Sequence, residues 1–169
     1  MSHNTVNMKG THLPLEGELP KIGEKAPEFT AAANDLSPFA LSSLKGKTVI
    51  LSAVPSLDTA VCDLETRRFN KEAAALGPAV AIVTVSMALP FAQKRWCGAA
   101  GIDRVVTVSD YNHADFGKKY GVLIAPLRLL ARAIFVLDPK GILRYTQVVP
   151  EVTNEPDYNA VLAAVKSTK

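Results

Sequence analysis

A buried strand that runs directly into a helix decides the fold, and it reads Thr48-Val-Ile-Leu-Ser-Ala-Val54, then Pro55-Ser-Leu-Asp-Thr-Ala-Val-Cys62. The first seven residues are short, apolar and rich in β-branched side chains, which is typical of a central strand covered on both faces. Pro55 ends the strand. The helix predicted after it carries its apolar side chains on one face, namely Val61, Leu64, Phe69, Ala73 and Leu76.

Strands and helices alternate along the rest of the chain. Apolar runs predict strands at 79–85, 104–108 and 133–137, and the turn signal at 138–141 predicts an antiparallel partner strand at 142–149. Helices are expected from Pro90 to Cys97, after Asp110 or Asn112, and after Asn154. This order predicts an α/β fold with a mixed central sheet and helices on both faces.

The N-terminal region predicts a β-hairpin. Its two short runs, 6–8 and 13–15, lie within an extension spanning 1–18, and Pro14 favours an edge position for the second strand. The length of 169 residues fits a single domain, 1–169.

Composition excludes several classes of function. The net charge is +3 and no basic block exceeds two residues, which argues against a nucleic-acid partner. No apolar run approaches the roughly 18 residues of a membrane span, and no signal peptide is visible, so we expect a cytoplasmic protein without a membrane partner. Two cysteines in such a chain indicate redox or metal chemistry rather than a secreted disulfide scaffold.

Cys62 is the first candidate for chemistry. A thiol in the first turn of a helix lies beside unpaired backbone N–H groups and the positive end of the helix dipole, and both favour the thiolate. The Thr59 hydroxyl, one turn earlier, can bond the sulfur or a bound oxygen, and Pro55 can shield the sulfur from water. The alternative is that Cys62 is a small core residue. The acids around it, Asp58, Asp63 and Glu65, fit a solvated helix face.

Several separated segments resemble the bacterial thiol peroxidases, which are atypical two-cysteine peroxiredoxins. The pattern Pro-x-x-x-Thr-x-x-Cys is present at Pro55, Thr59 and Cys62. The other matching segments are Leu19-Pro-Lys-Ile-Gly-Glu-Lys-Ala-Pro-Glu-Phe29, Leu89-Pro-Phe-Ala-Gln-Lys-Arg-Trp-Cys97, Leu129-Leu-Ala-Arg-Ala-Ile-Phe-Val-Leu-Asp138 and Asn154-Glu-Pro-Asp-Tyr158. They occur in family order and span nearly the whole chain.

The resemblance implies a thioredoxin-like fold and a thiol-specific peroxidase that reduces hydrogen peroxide and alkyl hydroperoxides in antioxidant defence. Cys62 matches the peroxidatic cysteine, whose thiolate becomes a sulfenic acid. Cys97 matches the resolving cysteine, which closes an intrachain disulfide with Cys62 that thioredoxin reduces. Thr59 and Arg132 match the donors to the departing oxygen. The resemblance also implies a homodimer and no metal or nucleotide cofactor.

Alternatives accompany two of these residues. In its apolar run, Arg132 must be paired or must extend into solvent. Cys97 could simply pack, or it could form a permanent disulfide with Cys62, although a reducing cytoplasm argues against permanence. We expect the reduced sulfurs to be too far apart to bond without local unwinding of a helix.

Two features bear on substrate and resolution. Apolar residues near the motif favour alkyl hydroperoxides, and these are Val54, Leu57, Val61, Leu89 and Phe91. Ala88 stands where many relatives carry Asp, and Trp96 stands where phenylalanine is common, so helix capping and resolution rate are expected to differ.

Other activities have weaker support. A cysteine-dependent hydrolase needs a histidine base, and none is expected opposite Cys62. The three histidines lie far apart in sequence, which argues against a metal site, and no glycine-rich phosphate loop follows the first strand. A redox sensor would share the cysteine chemistry and differ only in turnover.

Overall fold

The computed structural model describes residues 4–168 and contains two β-sheets and four α-helices. The strands are β1 (Thr5–Met8), β2 (Thr11–Glu16), β3 (Thr30–Ala32), β4 (Pro38–Ala40), β5 (Thr48–Ala53), β6 (Val80–Ser86), β7 (Val106–Ser109), β8 (Leu123–Ile124), β9 (Leu129–Leu130), β10 (Ala133–Leu137) and β11 (Leu143–Val148). The helices are α1 (Ala60–Leu76), α2 (Pro90–Ala100), α3 (Asp115–Lys119) and α4 (Tyr158–Ser167), and a 3₁₀ turn spans Leu41–Leu44.

The main sheet is mixed and has the strand order β11-β10-β5-β6-β7-β3-β4. Every residue of β5 is buried, as expected for a central strand. β5 runs parallel to β6 and antiparallel to β10, and β10 pairs with β11 as the predicted hairpin. Because β5 and β10 are antiparallel, the last residue of β5 lies beside the first residue of β10, at one end of the strands.

Both faces of this sheet are covered, as predicted. Alternate residues of β5 point to opposite faces, with Leu51 in one apolar cluster and Ile50 in another. The α1 and α4 helices cover the face of Ile50 through Phe69 and Val161. On the opposite face, Phe135 of β10 packs against Phe116 and Tyr120, which both contact Phe29. This packing makes the sheet a firm support for the loop that follows β5.

The predicted N-terminal hairpin forms from β1 and β2, but it joins a separate four-stranded sheet of order β1-β2-β8-β9. The expectation that Pro14 marks an edge strand is wrong, since β2 lies between β1 and β8. Pro14 is tolerated because β8 pairs only with Leu15 and Glu16 and leaves the rest of that side of β2 unpaired. Residues 1–3 of the predicted extension lie outside the described part of the chain.

The helix after β5 also corrects one expectation. Leu64 is 56% exposed, whereas Cys62, Glu65, Thr66 and Phe69 form the buried face of α1. Residues three and four apart share a helix face, so burial of Phe69 also turns Glu65 inward.

Candidate active site

Cys62 lies in the first turn of α1, as predicted from the sequence. The helix begins at Ala60, and Thr59 is its N-cap in an extended backbone conformation. The Thr59 hydroxyl accepts a hydrogen bond from the Cys62 backbone N–H at 3.3 Å and donates one to the Ser56 carbonyl at 3.1 Å. Thr59 therefore holds the loop against the first turn and satisfies one unpaired N–H. Its hydroxyl is engaged with backbone groups in this structure, rather than with the sulfur.

Arg132 reaches this helix from the start of β10. Ala133 pairs with Ala53 across the antiparallel strands, so Arg132 lies beside the loop that follows β5. Its guanidinium donates from Nη2 to the Cys62 Sγ at 3.3 Å, and from Nε to the Val152 carbonyl at 2.9 Å. The prediction of a nearby arginine is thus matched by a direct contact with the sulfur.

Glu65 is the third partner of Arg132 and is fully buried. Its Oε2 accepts from Arg132 Nη1, and its Oε1 accepts from the Ser52 hydroxyl at 2.7 Å. The interpretation of Glu65 as part of a solvated face is wrong, because it lies on the buried side of α1. The spacing of Cys62, Glu65 and Phe69 along a helix is the signal that would have found it.

The charges of this pair explain how a guanidinium is tolerated in an apolar run. Burial opposes the charge of Arg132, but the Glu65 carboxylate and the Cys62 sulfur outweigh it and raise the Arg132 pKa. Burial raises the pKa of Glu65, against the opposing effects of Arg132 and Ser52. Of the two alternatives for Arg132, the structure selects the paired one.

The Cys62 sulfur is enclosed by apolar side chains. The residue has no exposed surface and packs with Val54 and Leu57, while Trp96 contacts this cluster from α2. Pro55 is buried in the connecting loop.

The remaining residues proposed to line a substrate pocket lie farther out. Val61 is half-buried, and Leu89 and Phe91 are 51% and 64% exposed at the start of α2. The structure therefore brings Val54 and Leu57 to the sulfur but does not place the other three in that cluster.

Donor groups lie beside the Cys62 sulfur. The Arg132 guanidinium donates to it, and Cys62 lies in the first turn of α1, where backbone N–H groups point out of the helix end. The geometry is suited to a nucleophilic sulfur with donors around it.

Cys97 lies on α2 and points to another part of the structure. Its sulfur is 3.4 Å from the Thr107 hydroxyl of β7, and the residue is half-buried. Cys62 and Cys97 are both free thiols in this structure.

The start of α2 lacks a side-chain cap. Pro90 occupies the first turn, as predicted, and Leu89 is the N-cap with no side-chain hydrogen bond. No acidic residue is present in the first turn, and Ala88 lies one residue before the N-cap.

Two kinds of feature are absent from the described residues. No cluster of three or more His, Cys, Asp or Glu side chains within 4–168 is arranged to hold a metal ion. In the same range, no helix has the length and apolar character needed to cross a membrane.

The chain is similar to proteins of one known family. A family model described as Redoxin matches residues 21–162. The thiol peroxidase of Oceanobacillus iheyensis is 54% identical over 160 residues, which covers 95% of this chain and 97% of that protein. The thiol peroxidase of Bacillus subtilis is 49% identical over 162 residues, or 96% of each chain.

Solved structures show the same fold. A peroxiredoxin-like protein from Aquifex aeolicus superposes with a TM-score of 0.91 at 42% identity, covering 98% of this chain and 97% of that one. A thiol peroxidase from Chromobacterium violaceum superposes with a TM-score of 0.86 at 22% identity, covering 96% and 95%, and it supports the fold alone.

Proposed function

The chain belongs to the redoxin family, as a bacterial thiol peroxidase, and on this basis we propose that its Cys62 thiolate reduces hydrogen peroxide and alkyl hydroperoxides. The observation that carries the proposal is the guanidinium of Arg132, which lies 3.3 Å from the Cys62 sulfur and is held there by Glu65. Such an arrangement serves a charged sulfur that attacks a substrate whose leaving group is also anionic.

The first step is a displacement at oxygen. The thiolate attacks the terminal oxygen of the hydroperoxide, the S–O bond forms, and the O–O bond breaks. The sulfur is oxidised to a sulfenic acid, and the peroxide is reduced to water or an alcohol once the departing oxygen takes a proton. We assign Arg132 and the backbone N–H groups of the first turn as donors to that oxygen, joined by Thr59 once its hydroxyl turns from the Ser56 carbonyl, and Pro55 as a shield that limits water at the sulfur.

The apolar surroundings bear on the substrate. Val54 and Leu57 contact Cys62 and form the inner wall, and we assign Val61, Leu89 and Phe91 to the outer approach. Because Cys62 has no exposed surface, a peroxide reaches the sulfur only when this cover moves. An apolar cover favours alkyl hydroperoxides over a strictly polar substrate.

Cys97 completes the cycle in this proposal. It closes a disulfide with the oxidised Cys62, and thioredoxin reduces that disulfide by thiol–disulfide exchange. The two free thiols suit a reducing cytoplasm, where we place the enzyme in antioxidant defence. The homodimer and the absence of a cofactor stay predictions based on the family.

The test is steady-state peroxide reduction with thioredoxin, thioredoxin reductase and NADPH. Wild type should consume NADPH continuously with hydrogen peroxide and with an alkyl hydroperoxide. Cys62→Ser should be inactive, and Cys97→Ser should stop after one equivalent of peroxide. Arg132→Lys should react at least a hundredfold more slowly, because one oxyanion donor contributes about that much.

Two results would contradict the proposal. A disulfide that forms without sustained NADPH consumption would indicate a redox sensor instead of an enzyme. Activity retained in Cys62→Ser would remove the sulfur from the mechanism.

A further inference from the structure

A hydrogen bond joins the two cysteine-bearing helices immediately beside the cysteines. Asp63 follows Cys62 on α1, and Trp96 precedes Cys97 on α2. The Trp96 indole donates from Nε1 to the Asp63 Oδ1 at 3.0 Å. Neither residue is assigned a role in the peroxide chemistry above.

Arg67 reinforces this contact from the next turn of α1. Its Nε lies 2.9 Å from the Asp63 Oδ2, and its guanidinium carbon lies 5.8 Å from the centre of the Trp96 ring. Its Nη1 also donates to the carbonyl of Ala100, the last residue of α2, at 3.4 Å. One carboxylate and one guanidinium thus fix the indole and the end of α2 to α1.

The direction of Trp96 determines the direction of Cys97. Neighbouring helix residues point about 100° apart, because the helix has 3.6 residues per turn. Trp96 donates to Asp63 of α1 and packs against the cluster that contains Cys62, so the Cys97 sulfur is turned away toward Thr107 of β7. For the Cys97 sulfur to reach Cys62, this turn of α2 must rotate or unwind, and the indole must then leave Asp63.

We propose that Asp63 and Trp96 are positioning residues that slow the resolution of the Cys62 sulfenic acid by holding α2 closed against α1. The inference rests on the proposed function, in which Cys97 is the resolving cysteine. In the step concerned, the Cys97 sulfur attacks the sulfenic sulfur, the S–S bond forms, and the S–O bond breaks. Cys97 is oxidised, the sulfenic sulfur is reduced, and the hydroxide leaves as water with the thiol proton.

A longer-lived sulfenic acid has a chemical consequence. While α2 is held closed, a second peroxide can oxidise the sulfenic acid to sulfinic acid, which leaves the cycle. The Asp63–Trp96 hydrogen bond therefore sets the balance between resolution and overoxidation at high peroxide concentration.

The experiment removes this hydrogen bond from either side. Trp96→Phe keeps an aromatic ring but removes the donor, and Asp63→Ala removes the acceptor but leaves the indole. Each protein is reduced, mixed with excess hydrogen peroxide and quenched with acid, and intact mass then gives the fractions of sulfenic acid and disulfide. Each variant should form the disulfide about fivefold faster than wild type, which corresponds to ~1 kcal/mol in the barrier.

Further variants separate a positioning role from general destabilisation. The double variant should be no faster than either single variant, because both remove the same interaction. Asp63→Asn, which keeps an acceptor for the indole, should fall between Asp63→Ala and wild type. Glu72→Ala removes a different ion pair on the same helix, in which Arg68 Nε lies 3.0 Å from Glu72 Oε1. This variant should leave the rate of disulfide formation unchanged.

The sulfenic acid step provides an independent readout. In a Cys97→Ser background, Asp63→Asn should react with peroxide within about twofold of the parent, because the Asp63 side chain lies outside both the donor set and the apolar cluster around the sulfur. In Asp63→Ala, the fluorescence of Trp96, the only tryptophan in the chain, should change at the same rate as disulfide formation.

Distinct results overturn the inference and the function on which it rests. If wild type forms the Cys62–Cys97 disulfide but Trp96→Phe and Asp63→Ala form it at the wild-type rate, the positioning role is refuted and the proposed function stands. Additive rates in the double variant refute it in the same way. If wild type forms neither sulfenic acid nor disulfide, the proposed function fails and the positioning role fails with it.

Discussion

Replacing Glu65 by glutamine should weaken the fold by about 3 kcal/mol and slow the reaction of Cys62 with peroxide. The Glu65 side chain is 0% exposed and that of Arg132 is 2% exposed, so protein surrounds the ion pair between them and keeps solvent away from it. Removing one charge from a buried pair leaves the other uncompensated and typically costs about 3–5 kcal/mol. Glutamine keeps the shape and one acceptor, which places the expected loss at the lower end.

The matched control is Glu72→Gln on the same helix. Glu72 pairs with Arg68 at 3.0 Å, but the Arg68 side chain is 44% exposed and that of Glu72 is 24% exposed. A solvent-exposed pair of this kind contributes about 0.5 kcal/mol or less. The chemical change is identical in the two variants, so the difference between them isolates burial.

Urea unfolding of the reduced proteins at pH 7 measures the stability effect. The reaction of Cys62 is measured separately by rapid mixing with peroxide in a Cys97→Ser background. We expect Glu65→Gln to react at least tenfold more slowly, because the guanidinium loses the partner that aims it at the sulfur. A loss of less than 1 kcal/mol would refute the stabilising pair, and an unchanged peroxide rate would refute the positioning of Arg132 by Glu65.

Three further predictions follow from the caps and buried acids. Thr59→Val should lower the free energy of unfolding by about 1 kcal/mol and slow the peroxide step at least tenfold. Thr59→Ser keeps the hydroxyl and should therefore leave both quantities close to wild type. Equal effects of the two substitutions would contradict the role of the hydroxyl. Leu89→Ser supplies the missing cap of α2 and should add about 0.5–1 kcal/mol to the unfolding free energy while slowing disulfide formation, as measured by urea unfolding and acid-quench mass spectrometry. Burial raises the pKa of Asp110 from 3.8 to about 6, so its contribution to stability is fully present below pH 4 and is lost as the pH rises through 6. Two pKa units correspond to about 3 kcal/mol, and unfolding curves of wild type and Asp110→Asn that stay parallel from pH 4 to pH 8 would contradict it.

The sequence predicts the main sheet well, because its inner strands bury both faces and read as unbroken apolar runs. The same principle fails for β8 and β9, which have two residues each, and for the Ala-rich β3. Strands this short carry no periodic signal and are defined only by the partners that tertiary packing brings to them.

In the candidate site, too, local sequence predicts some features, whereas others depend on tertiary contacts. The first-turn position of Cys62 follows from local sequence and is confirmed, whereas the Thr59 hydroxyl caps the helix instead of bonding the sulfur. The pairing of Arg132 with Glu65 depends on which face of α1 meets β10. The sequence pattern predicts Leu64 on the buried face, but the buried residue is Glu65, one position further along the helix. The Asp63–Trp96 contact joins two helices that are 33 residues apart, and no local pattern predicts it.

The most direct test of the central claim is the intact mass of the anaerobically reduced protein after one equivalent of hydrogen peroxide. We expect loss of both thiols and a product two hydrogen atoms lighter, with a single disulfide that joins Cys62 to Cys97 in the peptide map. In Cys97→Ser the product should instead be one oxygen atom heavier at Cys62. Unreacted thiols in wild type, or oxygen added at any residue other than Cys62, would contradict the account.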